Sequence, residues 1–306
     1  MRSDLSSAVG HLAARARRRV KAHPLASAAI EVTDFTLRRA RWGHLRDAQP
    51  PAIPVRGRAL YDALEASGIV VVPDYWSADR CTAAREAMDR VMAAHPERVW
   101  VDAAGADRRI YGLERVDPVA RGFFEDETLF GVARASWRTP IVNGFVSAGR
   151  VDAAPGNRGS GGQGWHRDGV TQQIKAILYL SDVERGNGPF EYLRGTEGLR
   201  DRLRHILRSG ALARQLAFDD AAVARIEATA PDARVTACGR AGTLVLARTF
   251  GIHRGRPLEA GTRYALTSYY FATSALGPIA DYYGRQVALA DGAPLTAATL
   301  AAGFRG

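Results

Sequence analysis

Cysteine and lysine are the scarcest residues in this chain of 306, with two of each: Cys81 and Cys238, Lys21 and Lys175. Two cysteines exclude a disulfide framework and point to a reducing, cytoplasmic compartment, with both thiols expected in the core. No apolar run approaches the roughly 20 residues that a bilayer-spanning helix needs. The strongest, Ile69 to Val72 and Leu244 to Ala247, are strand-sized, so a membrane-spanning protein is excluded. Internal repeats are absent, and so are the dinucleotide and P-loop fingerprints. Gly159-Ser160-Gly161-Gly162 is glycine-rich, but no helix opens behind it, and it reads as part of a mobile loop from Gly156 to Gly164.

What is present is the balance of a soluble globular protein, 46% hydrophobic and 24% charged, with 31 Gly and 14 Pro marking many turns rather than a long helical rod. The formal charge is +10, yet 40 of the 42 basic residues are arginine, a bias that resembles GC-rich coding more than selection for one ligand. A nucleic-acid partner is therefore not expected. Ten basic against four acidic residues fall within the first 50, so the excess is concentrated there. Leu5, Val9, Leu12, Ala16 and Val20 form one helical stripe beside Arg15, Arg17, Arg18, Arg19 and Lys21. This pattern predicts a surface helix, with peripheral contact to anionic lipid as the alternative. Residues 1–55 are accordingly read as a basic helical segment and 56–306 as a single domain.

Gly68-Ile-Val-Val-Val-Pro predicts a buried strand, followed by a helix that Ser77 caps and Asp79 supports, with its stripe at Cys81, Met88, Val91 and Met92 and its end at His95-Pro96. A short strand is expected at Arg109 to Glu114, a helix at Pro118 to Trp137 and a strand at Pro140 to Ala148. Beyond the glycine-rich loop, strand-like runs crowd together at Ile174 to Ser181, Pro189 to Leu193, Arg234 to Cys238, Thr243 to Arg248 and Arg263 to Phe271. Helices near Leu199 to Leu207 and Ala221 to Ala228 interrupt them. Helices first and then short strands joined by Gly/Pro turns indicate an α+β fold with a sandwich or jelly-roll sheet in the second half.

Chemistry concentrates at Trp165-His166-Arg167-Asp168 and Gly251-Ile252-His253-Arg254-Gly255. A His-x-Asp pair alone says little, since with seven His and 20 Asp in 306 residues roughly 0.5 such pairs are expected by chance. At a strand end, however, residues two apart share a face, so His166 and Asp168 can both aim into a barrel mouth and His253 on a later strand can complete a two-histidine, one-carboxylate face. That set leaves three metal positions open, as non-heme Fe(II) chemistry with O2 and a bidentate co-substrate requires. Positions 253 and 263 are symmetric about a turn at Pro257 to Gly261, which predicts Arg263 opposite His253 in a hairpin, reaching over the metal to clamp a carboxylate such as that of 2-oxoglutarate.

With Leu178-Tyr-Leu-Ser-Asp-Val, Asn187-Gly-Pro-Phe, Gly242-Thr and the strand from Gly68, these motifs resemble the phytanoyl-CoA dioxygenase family of Fe(II)/2-oxoglutarate-dependent oxygenases over roughly Gly68 to Phe271. The resemblance implies a double-stranded β-helix with His166, Asp168 and His253 as iron ligands and Arg263 as the partner of the distal carboxylate of 2-oxoglutarate. It departs at Leu193-Arg-Gly-Thr-Glu, where the family usually shows Pro-Gly-Ser-His; that segment is expected to shape the rim of the pocket.

Lys175 stands in the apolar strand Ile174 to Ser181 and shares a face with Ile177 and Tyr179; inward, it would meet 2-oxoglutarate or a substrate carboxylate, and outward it would be a strand-edge lysine in solvent. Thr267 shares a face with Arg263 and can support the same carboxylate. Arg109, Tyr111 and Arg256 are candidates for the pocket mouth. Trp165 is expected to pack beside the metal strand and His205 to lie on the surface, while His11, His23, His44 and His95 have no carboxylate at ligand spacing in a strand context.

The function that follows is oxidation of a small or lipid-linked anionic metabolite with Fe(II), 2-oxoglutarate and O2, releasing succinate and CO2. Hydroxylation is the default, since halogenating relatives usually lack the carboxylate ligand that Asp168 supplies. The rival is a non-catalytic jelly-roll protein in which the same three residues hold a metal or sense a small acid.

Overall fold

The computed structural model describes residues 23–42, 51–159, 164–169 and 172–306. The stripe from Leu5 to Val20, His11, His44 and the centre of the glycine-rich loop lie outside the described residues. Helix α1 (Pro24–Trp42) is followed by α2 (Arg58–Ser67), which ends on Gly68 in the left-handed conformation and turns into β1 (Ile69–Val72). The side chain of Ser77 accepts from the Arg80 N–H and starts α3 (Ala78–Ala94), which stops at His95 ahead of Pro96. Next come β2 (Trp100–Val101) and β3 (Asp107–Tyr111). The helix expected across Pro118 to Trp137 is two, α4 (Pro118–Phe124) and α5 (Glu127–Trp137). Asp126 accepts from the Leu129 N–H and caps a new helix there, which breaks the run.

Strands β4 (Ile141–Asp152), β5 (Trp165–His166), β6 (Ile174–Tyr179) and β7 (Phe190–Leu193) follow. After them come α6 (Leu199–Ser209), β8 (Ala217–Phe218), α7 (Asp220–Thr229), β9 (Arg234–Ala237), β10 (Leu244–Arg248), β11 (His253–Gly255) and β12 (Thr262–Ala272). The chain closes with α8 (Leu276–Tyr283) and α9 (Ala297–Ala301). No helix among the described residues is long and apolar enough to cross a membrane.

The strands make two antiparallel sheets, one in the order β1-β10-β6-β12-β4-β3-β2 and the other β8-β5-β11-β7-β9. Eight of them, β4 to β7 and β9 to β12, form the double-stranded β-helix, the chain changing sheet at every step except between β7 and β9, which pair within the smaller sheet; the rest extend its edges. The core lies between the larger sheet and helices α2 to α5, with Leu64, Cys81, Met88, Phe123, Leu129 and Leu246 fully enclosed. Period-2 alternation thus sends one face of β6 and β10 into this core and leaves the other to line the space between the sheets.

Four expectations need correction. Cys238 is exposed and only Cys81 is in the core, because Cys238 falls in the turn just past β9. His205 is buried, since it shares the inward stripe of α6 with Arg202, Ile206 and Ser209. The departure segment at 193–197 forms no rim: Thr196 is fully buried, its hydroxyl donating to the Leu193 carbonyl and accepting from the Ile252 N–H. Finally, α1 packs on α6 through a buried Glu31–Arg202 pair, so the boundary drawn at residue 55 does not separate this helix from the rest.

Candidate metal centre

Strand β5 has only two residues, and it holds because both neighbours claim it: His166 pairs with Ala217 of β8 on one side and with His253 of β11 on the other. That register sets the two histidines directly across from each other, ring centroids 4.4 Å apart. Asp168, two residues past His166, is fixed by its N–H donating to the Thr249 carbonyl at 3.0 Å. One donor atom from each of His166, Asp168 and His253 lies within 4.8 Å of the others, the spacing of ligands around one ion.

Both imidazoles are oriented through their far nitrogens. His166 Nδ1 meets the Gly164 carbonyl at 2.8 Å and His253 Nδ1 the Gly251 carbonyl at 3.0 Å. A carbonyl only accepts, so each Nδ1 carries a proton and each Nε2 is turned toward Asp168, at 3.6 and 3.8 Å from its carboxylate oxygens. Glycine is required at 251, where a Cβ would lie 2.3 Å from the Tyr192 hydroxyl. Burial, with His166 alongside, pushes the pKa of His253 down to about 3 and keeps its ring neutral. Burial alone would raise Asp168, but the Lys175 ammonium holds its carboxyl well below the usual range. The donor set, two imidazoles with Nε2 turned inward and one carboxylate, fits a divalent transition ion.

Lys175 faces inward from β6, an interior strand between β10 and β12, so the strand-edge alternative does not apply. Its Nζ is 2.8 Å from Asp168 Oδ2 and 4.7 Å from the centre of the Tyr269 ring. Burial lowers its affinity for the proton, but Asp168 more than offsets this and the ammonium is retained.

Arg263 is not His253's hairpin partner. Strand β11 lies between β5 and β7 in the smaller sheet, while β12 lies between β4 and β6 in the larger one, with Arg263 across from Val151. The connection crosses from sheet to sheet because the turn at 186–189 captures it: the Arg256 N–H donates to the Pro189 carbonyl and the Glu259 N–H to the Gly186 carbonyl. Symmetry about residue 258 fixed the direction of the two strands but not their pairing. His253 and Arg263 nevertheless line one cavity of about 780 Å³ between the sheets. Arg263 is 5% exposed and donates through Nη1 to the Gly188 carbonyl. Among the described residues no carboxylate is in ion-pair contact with it. Burial pulls its pKa down, and the charge of Asp107 offsets this only in part. This cradle fits the distal carboxylate of 2-oxoglutarate, and Thr267 lines the same cavity four residues along β12.

Arg109 and Tyr111 also line the cavity, Arg109 clamped to Asp107 by its Nη2 at 2.6 Å. Arg256 pairs with Glu259 instead. Trp165 is buried behind the metal strand, as expected. Missed altogether was the aromatic wall formed by Trp100, Tyr269, Tyr282 and Tyr283. Tyr282 and Tyr283 belong to α8, past the motif-bearing stretch, and no spacing in the sequence ties them to a strand pattern.

Comparison with solved structures returns the carbocyclase SnoK from nogalamycin biosynthesis, described as a non-heme α-ketoglutarate-dependent enzyme. It is 19% identical, over 71% of this chain and 84% of that one, with a TM-score of 0.51. The epimerase SnoN from the same biosynthesis is 16% identical over 72% and 84%, with a TM-score of 0.52. EctD from S. alaskensis with bound Fe is 16% identical over 75% and 83%, with a TM-score of 0.54. These likenesses show a shared fold. No curated protein sequence matches significantly. The family model for phytanoyl-CoA dioxygenase (PhyH) matches residues 64–259, a stretch that holds His166, Asp168 and His253. The chain belongs to the phytanoyl-CoA dioxygenase family of Fe(II)/2-oxoglutarate-dependent oxygenases.

Proposed function

We propose that this protein hydroxylates an unactivated C–H bond of a small anionic metabolite, with His166, Asp168 and His253 holding Fe(II) and Arg263 and Thr267 holding 2-oxoglutarate. The observation that carries the reading is the pairing of a three-donor cluster with a buried arginine that has no carboxylate partner among the described residues, both facing one cavity. Bound Fe(II) with 2-oxoglutarate and O2 supplies the oxidising power, and succinate and CO2 are the co-products. The protein's own residues do the rest. The two Gly carbonyls fix the imidazole tautomers, Lys175 restrains one oxygen of Asp168, and the bidentate fork of Arg263 orients the co-substrate.

An anionic substrate with an apolar body is supported by the lining. Arg109, Arg158, Lys175 and Arg263 face the cavity with Asp168 as the carboxylate among them, and Trp100, Tyr111, Tyr269 and Tyr282 supply flat apolar surface. Anaerobic addition of Fe(II) and 2-oxoglutarate should produce a weak visible charge-transfer band, and a screen of carboxylate and phosphate metabolites should find one that stimulates succinate release. Because the fold's solved relatives include a carbocyclase and an epimerase, mass spectrometry of the product decides the outcome: a gain of one oxygen atom supports hydroxylation. Absence of both the band and succinate would overturn the enzymatic reading in favour of a binding protein.

A further inference from the structure

Helix α1 lies outside the family-matched stretch, yet its buried polar residues lead by two routes to the strands that carry the histidines. Ser27 and Glu31 are 1% and 4% exposed and face the turn that follows α6. Ser27 Oγ accepts from the Ala213 N–H at 2.6 Å, and Glu31 Oε2 from the Arg214 N–H at 2.8 Å. Arg214 is held at a φ of +56°, a left-handed conformation that arginine adopts only at a cost. Two residues on, the Leu216 carbonyl accepts from the Arg167 N–H at 2.7 Å, between His166 and Asp168, and Ala217 then pairs with His166 itself.

The second route starts at the other oxygen of the same carboxylate. Glu31 Oε1 accepts from Arg202 Nη1 at 3.2 Å, and Arg202 Nε donates to the Glu197 carbonyl at 3.1 Å. The Glu197 side chain accepts from the Thr196 N–H at 2.9 Å, and Thr196 Oγ1 accepts from the Ile252 N–H at 2.8 Å, one residue before His253. The Thr196 carbonyl also takes Arg167 Nη2 at 2.9 Å, which ties the two routes together behind the site.

We infer that Glu31 is a positioning residue for the metal centre, its two carboxylate oxygens fixing the loop behind His166 and the loop behind His253, with Ser27 reinforcing the first. The inference rests on the proposed metal site. Strands as short as β5 and β11 carry little register of their own, so the loops behind them decide where the two Nε2 atoms fall.

Co(II) is the probe, because its ligand-field bands report coordination geometry without turnover. Wild-type protein must first bind Co(II) with bands that His253→Ala alters; failure at that step overturns the metal site and not merely the role of Glu31. Glu31→Gln, which keeps the shape but puts an amide against Arg202, and Ser27→Ala, which removes only the strap on Ala213, should each weaken Co(II) binding by roughly 10-fold and change the bands. Leu129→Ala, a core truncation in α5, serves as the stability control: at a matched loss of Tm it should bind Co(II) as wild type does. Wild-type Co(II) affinity and bands in folded Glu31→Gln would overturn the inference. If Glu31→Gln fails to fold, Ser27→Ala decides by the same two readouts, and an equal loss of affinity in Leu129→Ala would also overturn it.

Discussion

His166 and His253 occupy directly opposed positions on two neighbouring antiparallel strands, and each ring is turned by the carbonyl of the glycine two residues before it. The repeat of one local geometry, Gly-x-His, on both strands orients the two rings alike, so that both Nε2 atoms face the carboxylate of Asp168.

Removing that carboxylate should be decisive. Asp168→Ala leaves two imidazoles facing the Lys175 ammonium, which repels a cation as well as failing to bind it. Affinity for Fe(II) or Ni(II) should fall by more than about 100-fold, and 2-oxoglutarate turnover with it. Calorimetric titration of Ni(II) checks this, and undiminished affinity would show that the metal, if any, is held elsewhere.

Lys175→Met separates the metal-free from the metal-bound state. Lys175 and Asp168 are 12% and 16% exposed, so truncating one partner strands the other's charge, at a cost of about 3 to 5 kcal/mol in the metal-free protein. A bound divalent ion neutralises Asp168 in its own right, and the departed ammonium no longer opposes it. The Tm gained on adding Ni(II) should therefore be larger in Lys175→Met than in wild type; an equal or smaller gain would mean that the lysine does not compete with the metal for Asp168.

Arg263→Ala should leave a buried 2-oxoglutarate carboxylate without its fork, a loss on the order of 2 to 5 kcal/mol. Binding should weaken by roughly 30-fold or more. Metal affinity should change little, and Arg263→Lys should recover only part, since a point charge replaces a planar pair of donors. Anaerobic titration of 2-oxoglutarate into the Fe(II) form reads all three, and wild-type affinity in Arg263→Ala would transfer the role to another cation of the cavity.

A fourth expectation concerns stability rather than chemistry. Burial pushes the pKa of Glu114 up to about 7, against which its acceptance of the Val146 N–H works only in part. The folded state then holds a proton that the unfolded chain has released, so stability is full below about pH 4.5 and is lost as pH rises through about 7. The contribution is on the order of 3 kcal/mol. Glu114→Gln, which can still accept from Val146, should flatten the fall in urea midpoint between pH 5 and pH 8 and raise stability at the upper end. A midpoint that is already independent of pH in wild type would show that Glu114 is ionised without penalty.

The sequence by itself determined the elements whose signals are local. Ser77 caps its helix because a hydroxyl three residues before a free N–H needs no tertiary partner, and the strands from Ile174 and Leu244 follow from apolar runs of strand length. The family's motifs likewise pointed to His166, Asp168, His253 and Arg263, all of which line one cavity. What only the tertiary structure decided were relations between segments far apart in the chain. Whether β11 and β12 pair or part was set by the capture of their connecting loop at 186–189, so counting about residue 258 placed Arg263 on the wrong sheet. Lys175 found Asp168, His205 turned inward and Glu31 reached Arg202 because sheets and helices brought them together, and Tyr282 joined the cavity only because α8 folds back over its mouth. Charge and hydropathy are properties of single residues, readable in order; burial and pairing are properties of the packed chain, and for these residues packing determined the role.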